Sequence, residues 1–267
     1  MLWLKRALLV VIFAMLGLLV YGIVRKIVFP DMVTAPAGHS HVVTKKPSQS
    51  PPPLSPVPPK PKPDYSLPPI TDGLAPVLSR IPTKQPVVFL GIDDGAYKNP
   101  AEISLMKAND VKATFFLANL FILDNPNFFK QLSHETGAVI EDHTLHHYID
   151  LPYRSLAEQK AEICGEADYM QQEYGRRPLL FRPPGGAYSV TTQRAAAECG
   201  MKAIINWIAK ANGGSMQYQI GNGLRPGDIV LMHFRPVFAQ DMQAFLQAEK
   251  AAGLHTELLE DWLTPGQ

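Results

Sequence analysis

The sequence predicts an α/β domain on a parallel sheet, preceded by an apolar helix and a proline-rich linker. Three observations predict it. Short apolar, β-branched runs recur through the last 190 or so residues and alternate with amphipathic helical patterns, which is the signature of a parallel sheet. Several runs end in titratable residues, so candidate chemistry collects at one edge of the sheet, as at the mouth of a barrel. Ahead of them, 16 of the 25 prolines fall between Pro30 and Pro86, a composition that cannot build a core.

Ala7 to Val24 is an unbroken apolar stretch at the threshold for crossing a bilayer, bracketed by Lys5-Arg6 and Arg25-Lys26. It exceeds the usual h-region of a cleaved signal. The small-residue sequence Ala35-Pro36-Ala37 lies far downstream, so residues 1–29 read as an uncleaved anchor, with a cleaved signal and secretion as the alternative. Both flanks are basic and give no vote on orientation. An extracellular domain on a single-pass anchor is expected from the signal-like position of the helix.

Residues 30–74 form the linker. Pro51-Pro52-Pro53, Pro56, Pro58-Pro59 and the Lys-Pro alternation from Lys60 to Pro63 favour extended polyproline conformation. At ~3.1 Å per residue, some fifty residues reach on the order of 150 Å. Such a spacer carries a domain off a membrane; a ligand for a proline-recognition domain is the other reading. His39 and His41 within it are read as idle.

Residues 75–267 form the predicted catalytic domain. Strands are expected near Val87–Ile92, Ala113–Ala118, Ala138–Glu141, Leu179–Phe181, Ala203–Asn206, Ile229–Met232 and Thr256–Leu259. Helical patterns run over Ser155–Glu173, Thr191–Cys199 and Asp241–Ala252. The first strand ends in Asp93-Asp94-Gly95. Adjacent carboxylates repel unless a cation or an arginine keeps them ionised, so the pair asks for a metal; a plain turn is the alternative. After the third strand, His143 and His147 are four apart, which puts two imidazoles on one face of a helical turn. With a carboxylate they make a three-ligand set with an open position, the mark of a catalytic site. Chance placement on a solvated helix face is the competing reading, and His146 is read as a non-ligand. The fourth strand leads into Arg182-Pro183-Pro184-Gly185-Gly186, whose arginine can hold a carboxylate and whose backbone can approach a ligand, unless it is an idle turn. His233 closes the sixth strand, a position at which a histidine is more often structural.

In order and spacing these motifs resemble the polysaccharide deacetylases of carbohydrate esterase family 4, over about the last 190 residues. The resemblance sharpens the fold to a distorted, incomplete (β/α) barrel. It implies a divalent metal, usually zinc, on Asp94, His143 and His147, with Asp93 as base, Arg182 orienting it, the Gly185 N–H at the oxyanion and His233 as general acid. Such an enzyme hydrolyses N-acetyl groups of amino sugars, here of cell-wall peptidoglycan given the tether. An O-acetyl esterase on xylan or another glycan, and a non-catalytic carbohydrate-binding homologue, are the alternatives. The chain departs from the family pattern at Gly91-Ile92, where Thr-Phe is usual, at Ala96 for Pro, and at Gly185 for Tyr. It also lacks, around Ile205–Asn212, the aspartate that pairs with the acid histidine.

A net charge of +1 gives no argument for nucleic acid, and a monomer is expected. Cys164 and Cys199 form either one disulfide or two buried thiols.

Overall fold

A computed structural model describes residues 62–264 of the 267-residue chain. The predicted anchor at 7–24 and most of the linker lie outside the described residues. Among the described residues no helix is long and apolar enough to cross a membrane. The last part of the segment read as linker lies against the domain, with Tyr65 and Leu67 packed on its core.

Ten strands make one sheet in the order β1-β6-β5-β4-β3-β2-β9-β7-β8, with β10 pairing to the start of β2. They are β1 (Val77–Leu78), β2 (Val87–Asp94), β3 (Thr114–Leu117), β4 (Val139–Asp142), β5 (Leu180–Phe181), β6 (Ala203–Ile205), β7 (Ala209–Asn212), β8 (Ser215–Tyr218), β9 (Ile229–His233) and β10 (His255–Thr256). Every pairing is parallel except the β7–β8 hairpin. Parallel strands need crossovers. These are supplied by α1 (Pro100–Ala108), α2 (Asn119–Ile122), α3 (Pro126–Thr136), α4 (Leu156–Tyr174), α5 (Val190–Glu198) and α6 (Phe238–Ala252), with α7 (Leu259–Leu263) closing the chain. Ser155 and Glu158 form a reciprocal capping box that starts α4, and Gly137 and Gly175 end α3 and α4 in left-handed conformation.

Strand alternation sorts the core into two sides. Val87 and Phe89 join Phe116, Leu180, Ile205 and Ile229, from strands all round the sheet, in an inner cluster. Val88, Leu90 and Ile92 face outward onto Met106, Phe129, Leu132 and Phe245 of the surrounding helices. The inner cluster is plugged by Leu259, Trp262 and Leu263, whose three-and-four spacing is helical; Thr256–Leu259 is therefore not a strand beyond Thr256. The sheet runs from β1 at one edge to β8 at the other, and no ladder joins these two strands among the described residues, so the barrel is incomplete. Arg80, past the end of β1, and Asp228, just before β9, form an isolated bridge, where buried Asp228 takes Arg80 at 3.0 Å and Arg225 at 3.1 Å.

Cys164 of α4 and Cys199 at the end of α5 form a disulfide, resolving the open question in favour of the bridge. The strands β1, β7 and β8 went unrecognised in the sequence. β1 has two residues and no periodicity to read. The hairpin did carry a signal in its turn, Asn212-Gly213-Gly214-Ser215.

Candidate active site

The C-terminal ends of β2, β4, β5 and β9 meet at one cleft of about 280 Å³. Asp93, Asp94, His143, His147, Gly185 and His233 all line it, and Arg182 lies immediately beneath.

Asp93 and Asp94 are consecutive strand residues, so regular alternation would send their side chains to opposite faces. Asp94 instead adopts φ +75°, and this left-handed residue turns both carboxylates into the cleft. Such a conformation costs an aspartate about 1 kcal/mol or more, a local strain that clusters at functional sites. Thr144 (φ +74°) and His147 (φ +54°) show the same feature. Three of the five left-handed non-glycine residues among the described residues thus belong to the segments that carry Asp94 and the two histidines.

The histidines are not on a helical turn. They sit in the irregular segment after β4, where their ring centroids are 4.9 Å apart. The helix expectation fails because that segment is pinned by side chains rather than by an i→i−4 ladder. The Thr144 N–H donates to Asp142 Oδ1 (2.9 Å), the His147 N–H to Thr144 Oγ1 (3.0 Å) and the His146 N–H to Glu162 Oε2 (2.9 Å). Glu162 also takes the His146 ring at 2.8 Å, so His146 points away from the ligand set.

Asp94 Oδ1 lies 3.5 Å from His143 Nε2 and 3.2 Å from His147 Nε2. The His143 Nδ1 donates to the Arg182 carbonyl at 2.6 Å, which orients the ring and commits the other nitrogen to the cleft. Burial alone would raise the Asp94 carboxyl, but hydrogen bonds from both histidines and the charges of His143 and His233 hold it well below the usual carboxylate range. Burial alone would lower His143; Asp93 and Asp94 outweigh it and raise the imidazole above its ordinary value. A negative potential that favours a proton on Nε2 favours a cation in its place. With bonds of ~2.0–2.1 Å, a tetrahedral ion sets its ligand atoms about 3.3–3.4 Å apart, close to the two separations found. The donor set fits a divalent cation.

Asp93 Oδ1 accepts from Arg182 Nη1 at 2.6 Å, and both residues are buried. Arg182 also donates through Nε to the Ile205 carbonyl (3.0 Å) and stacks on Phe116 at 4.1 Å. Gly91 makes this possible: a Cβ there would stand 2.4 Å from Arg182 Nη1. The turn after β5 is closed by Gly186 N–H to Pro183 (2.8 Å) and tied to β6 by the Asn206 side-chain amide donating to the Gly186 carbonyl (3.1 Å). A Cβ on Gly186 would meet the Trp207 ring at 2.7 Å.

His233 pairs in register with Asp93 across β9 and β2. Its imidazole is lowered from the ordinary value, first by burial and further by the charges of Arg235 and His143, against the opposing pull of Asp93 and Asp94. Among the described residues no aspartate hydrogen-bonds to the His233 ring. What stands on the neighbouring strand β7 is Lys210 and Asn212, both lining the cleft together with Arg235. Sequence reading gave these three residues no role: Lys210 and Asn212 because β7 itself went unread, and Arg235 because it lies in the turn past the end of β9.

A family model described as polysaccharide deacetylase matches residues 80–204. An uncharacterized protein of Streptomyces coelicolor is 36% identical over 198 residues, covering 71% of this chain and 78% of the relative. The peptidoglycan-N-acetylglucosamine deacetylase of Bacillus cereus is 28% identical over 165 residues, 57% of this chain and 75% of that protein. Among solved structures, a CE4 family pseudoenzyme from Bacillus anthracis superposes with TM-score 0.58 at 20% identity, over 68% of this chain and 66% of that one. A fold shared with a pseudoenzyme leaves activity to be argued from side chains.

Proposed function

Because the chain belongs to the polysaccharide deacetylase family, we propose that it hydrolyses N-acetyl groups of cell-wall amino sugars, with peptidoglycan as the polymer and acetate as the product. The observation that carries this reading is the convergence of three metal donors, a buried carboxylate–arginine pair and a histidine on one cleft. The Bacillus cereus relative, named for the same linkage, supports it.

Amide hydrolysis needs an activated water, a stabilised oxyanion and a protonated amine. A divalent ion, zinc being the usual choice for two imidazoles and a carboxylate, would be held by Asp94, His143 and His147 and would supply Lewis acidity toward the water and the acetyl carbonyl. Asp93 takes the proton from the water. Arg182, bonded to Oδ1, leaves Oδ2 for that transfer and keeps the carboxylate fixed against rotation. The Gly185 N–H, presented by the Pro-Pro-Gly-Gly turn, faces the developing oxyanion. His233, on the far side of Asp93, protonates the departing nitrogen.

Anchoring through residues 7–24 with the catalytic domain outside the cell fits the Cys164–Cys199 disulfide, since such bridges persist in oxidising compartments. The tether then sets the domain at wall distance.

One observation favours a second reading, an esterase removing O-acetyl groups from xylan or another glycan. Among the described residues no carboxylate hydrogen-bonds to His233, burial outweighs the pull of Asp93 and Asp94 on its proton, and an alcohol leaving group demands less of its acid than an amine does. Acetate release by the metal-loaded full chain from peptidoglycan, chitin oligomers and acetylated xylan separates the two. The proposal expects release from the acetamido polymers, abolished by chelation; release from xylan alone would replace it with the esterase.

A further inference from the structure

The charges that line the cleft do not cancel. Asp93 is bound to Arg182 and Asp94 is shared by the two ligand histidines, so both carboxylates are engaged. Two cations remain. The Lys210 side chain makes no hydrogen bond or ion pair among the described residues, and the Arg235 guanidinium reaches only the neutral side-chain oxygen of Asn212, at 3.3 Å. Both are half-buried in the cleft wall rather than extended into solvent. A divalent ion at the three donors adds to this positive excess.

The backbone fixes where the excess lies. β7 runs parallel to β9, with Lys210 opposite Leu231. Leu231 and His233 share a face of β9, and Lys210 and Asn212 share the matching face of β7, so all four side chains reach the cleft. Arg235 follows two residues after His233 and acts on its imidazole through space. The unpaired cations therefore sit beside the group that would protonate the sugar nitrogen.

We propose that Lys210 and Arg235 form a carboxylate subsite, and that the enzyme prefers acetamido sugars bearing a carboxylate close to the acetylated nitrogen, as an acid ether on the same ring does. An arginine and a lysine half-withdrawn from water hold a carboxylate with charge-assisted hydrogen bonds, while a neutral substrate leaves both cations partly desolvated and unpaired. This discriminates against neutral glycans as well as favouring acidic ones. The inference rests on the deacetylase reading and narrows its substrate class.

The test compares two forms of one polymer on the metal-loaded full chain: peptidoglycan glycan strands stripped of peptide, whose muramic acid carboxyls are free, and the same strands with those carboxyls methyl-esterified. The wild-type protein is expected to show kcat/KM for acetate release about tenfold higher on the acid than on the ester. In the double variant Lys210→Gln/Arg235→Gln that ratio falls to near one. A wild-type ratio near one, or a ratio the double variant leaves in place, overturns the subsite. If neither strand yields acetate, the deacetylase reading fails on its own account. The subsite is then judged by calorimetric binding of the same two strands, with the same ratios expected and the same results overturning it.

Discussion

At the scale of single residues, the site depends on where two small or strained positions fall. Gly91 gives the Arg182 guanidinium its space beneath Asp93. Gly91→Ala is expected to cost about 1–3 kcal/mol by overpacking and to lower kcat by displacing Arg182 from Asp93. Urea unfolding and steady-state kinetics check both, and a variant with wild-type stability and rate would contradict the assignment. In the proposed mechanism His233 sets the alkaline side of the pH profile. A general acid works only while protonated, and this imidazole is lowered below its ordinary 6.5, so activity is lost as pH rises through that depressed value. The alkaline limb of kcat/KM is expected to begin earlier than a carboxylate-supported histidine allows; a limb beginning above pH 8 would contradict this. All seven residues singled out from the sequence meet at one place, because motif order and spacing are visible in one dimension. The left-handed backbone at Asp94, Thr144 and His147 was not visible. Nothing in a side chain's identity announces that it will be strained.

At the scale of elements, α4 carries the ligand loop. Glu162 binds His146 twice, and a Cβ on Gly165 would strike Leu145 at 2.7 Å, so the helix and the loop pack as a unit. Glu166 lies in the same interface, fully buried beside Asp142, with neither carboxyl oxygen hydrogen-bonded. Burial first, then the charges of Asp142 and Glu162, push it from 4.5 up to about 10. The folded protein thus holds a proton that the unfolded chain releases, and stability falls as pH rises from about 4.5 toward 10. Glu166→Gln is expected to flatten that dependence and to be more stable than wild type at pH 8. Denaturant titrations at pH 5 and 8 measure it, and a variant less stable at pH 8 would contradict the assignment. The strands β2, β3, β4, β5, β6 and β9 were legible because each holds a short apolar run of the kind a buried parallel strand requires, even where β2 and β4 end in carboxylates. The hairpin β7–β8 was not, because Ala209-Lys210-Ala211-Asn212 mixes small and polar residues and earns its place by pairing with β9. That omission hid Lys210 and Asn212.

At the scale of the whole molecule, the domain is a sheet that fails to close between its edge strands β1 and β8 and is plugged at its base by Trp262. Such an open seam places weight on other links. The Cys164–Cys199 bridge joins α4, which carries the ligand loop, to the end of α5 across 35 residues of chain. In the chain-entropy account, closing a loop of that length stabilises by roughly 4 kcal/mol. Cys164→Ala/Cys199→Ala, or reduction of the wild-type protein, is expected to lower the unfolding free energy by up to that amount; an unchanged Tm would show that the bridge does not form in solution. The molecular architecture was legible in outline, since alternation of strand and helix fixes a parallel sheet. Its incompleteness came from the family resemblance alone, because no residue in β1 or β8 signals a missing ladder.

The central claim is that Asp94, His143 and His147 share one divalent cation. Metal content of the purified full chain and of Asp94→Ala, measured by elemental analysis after exhaustive dialysis against metal-free buffer, tests it most directly. One equivalent of divalent metal per wild-type chain, lost in Asp94→Ala while the fold persists by circular dichroism, is the predicted result. A wild-type chain that retains none when supplied with zinc, or a variant that retains as much as wild type, would contradict it.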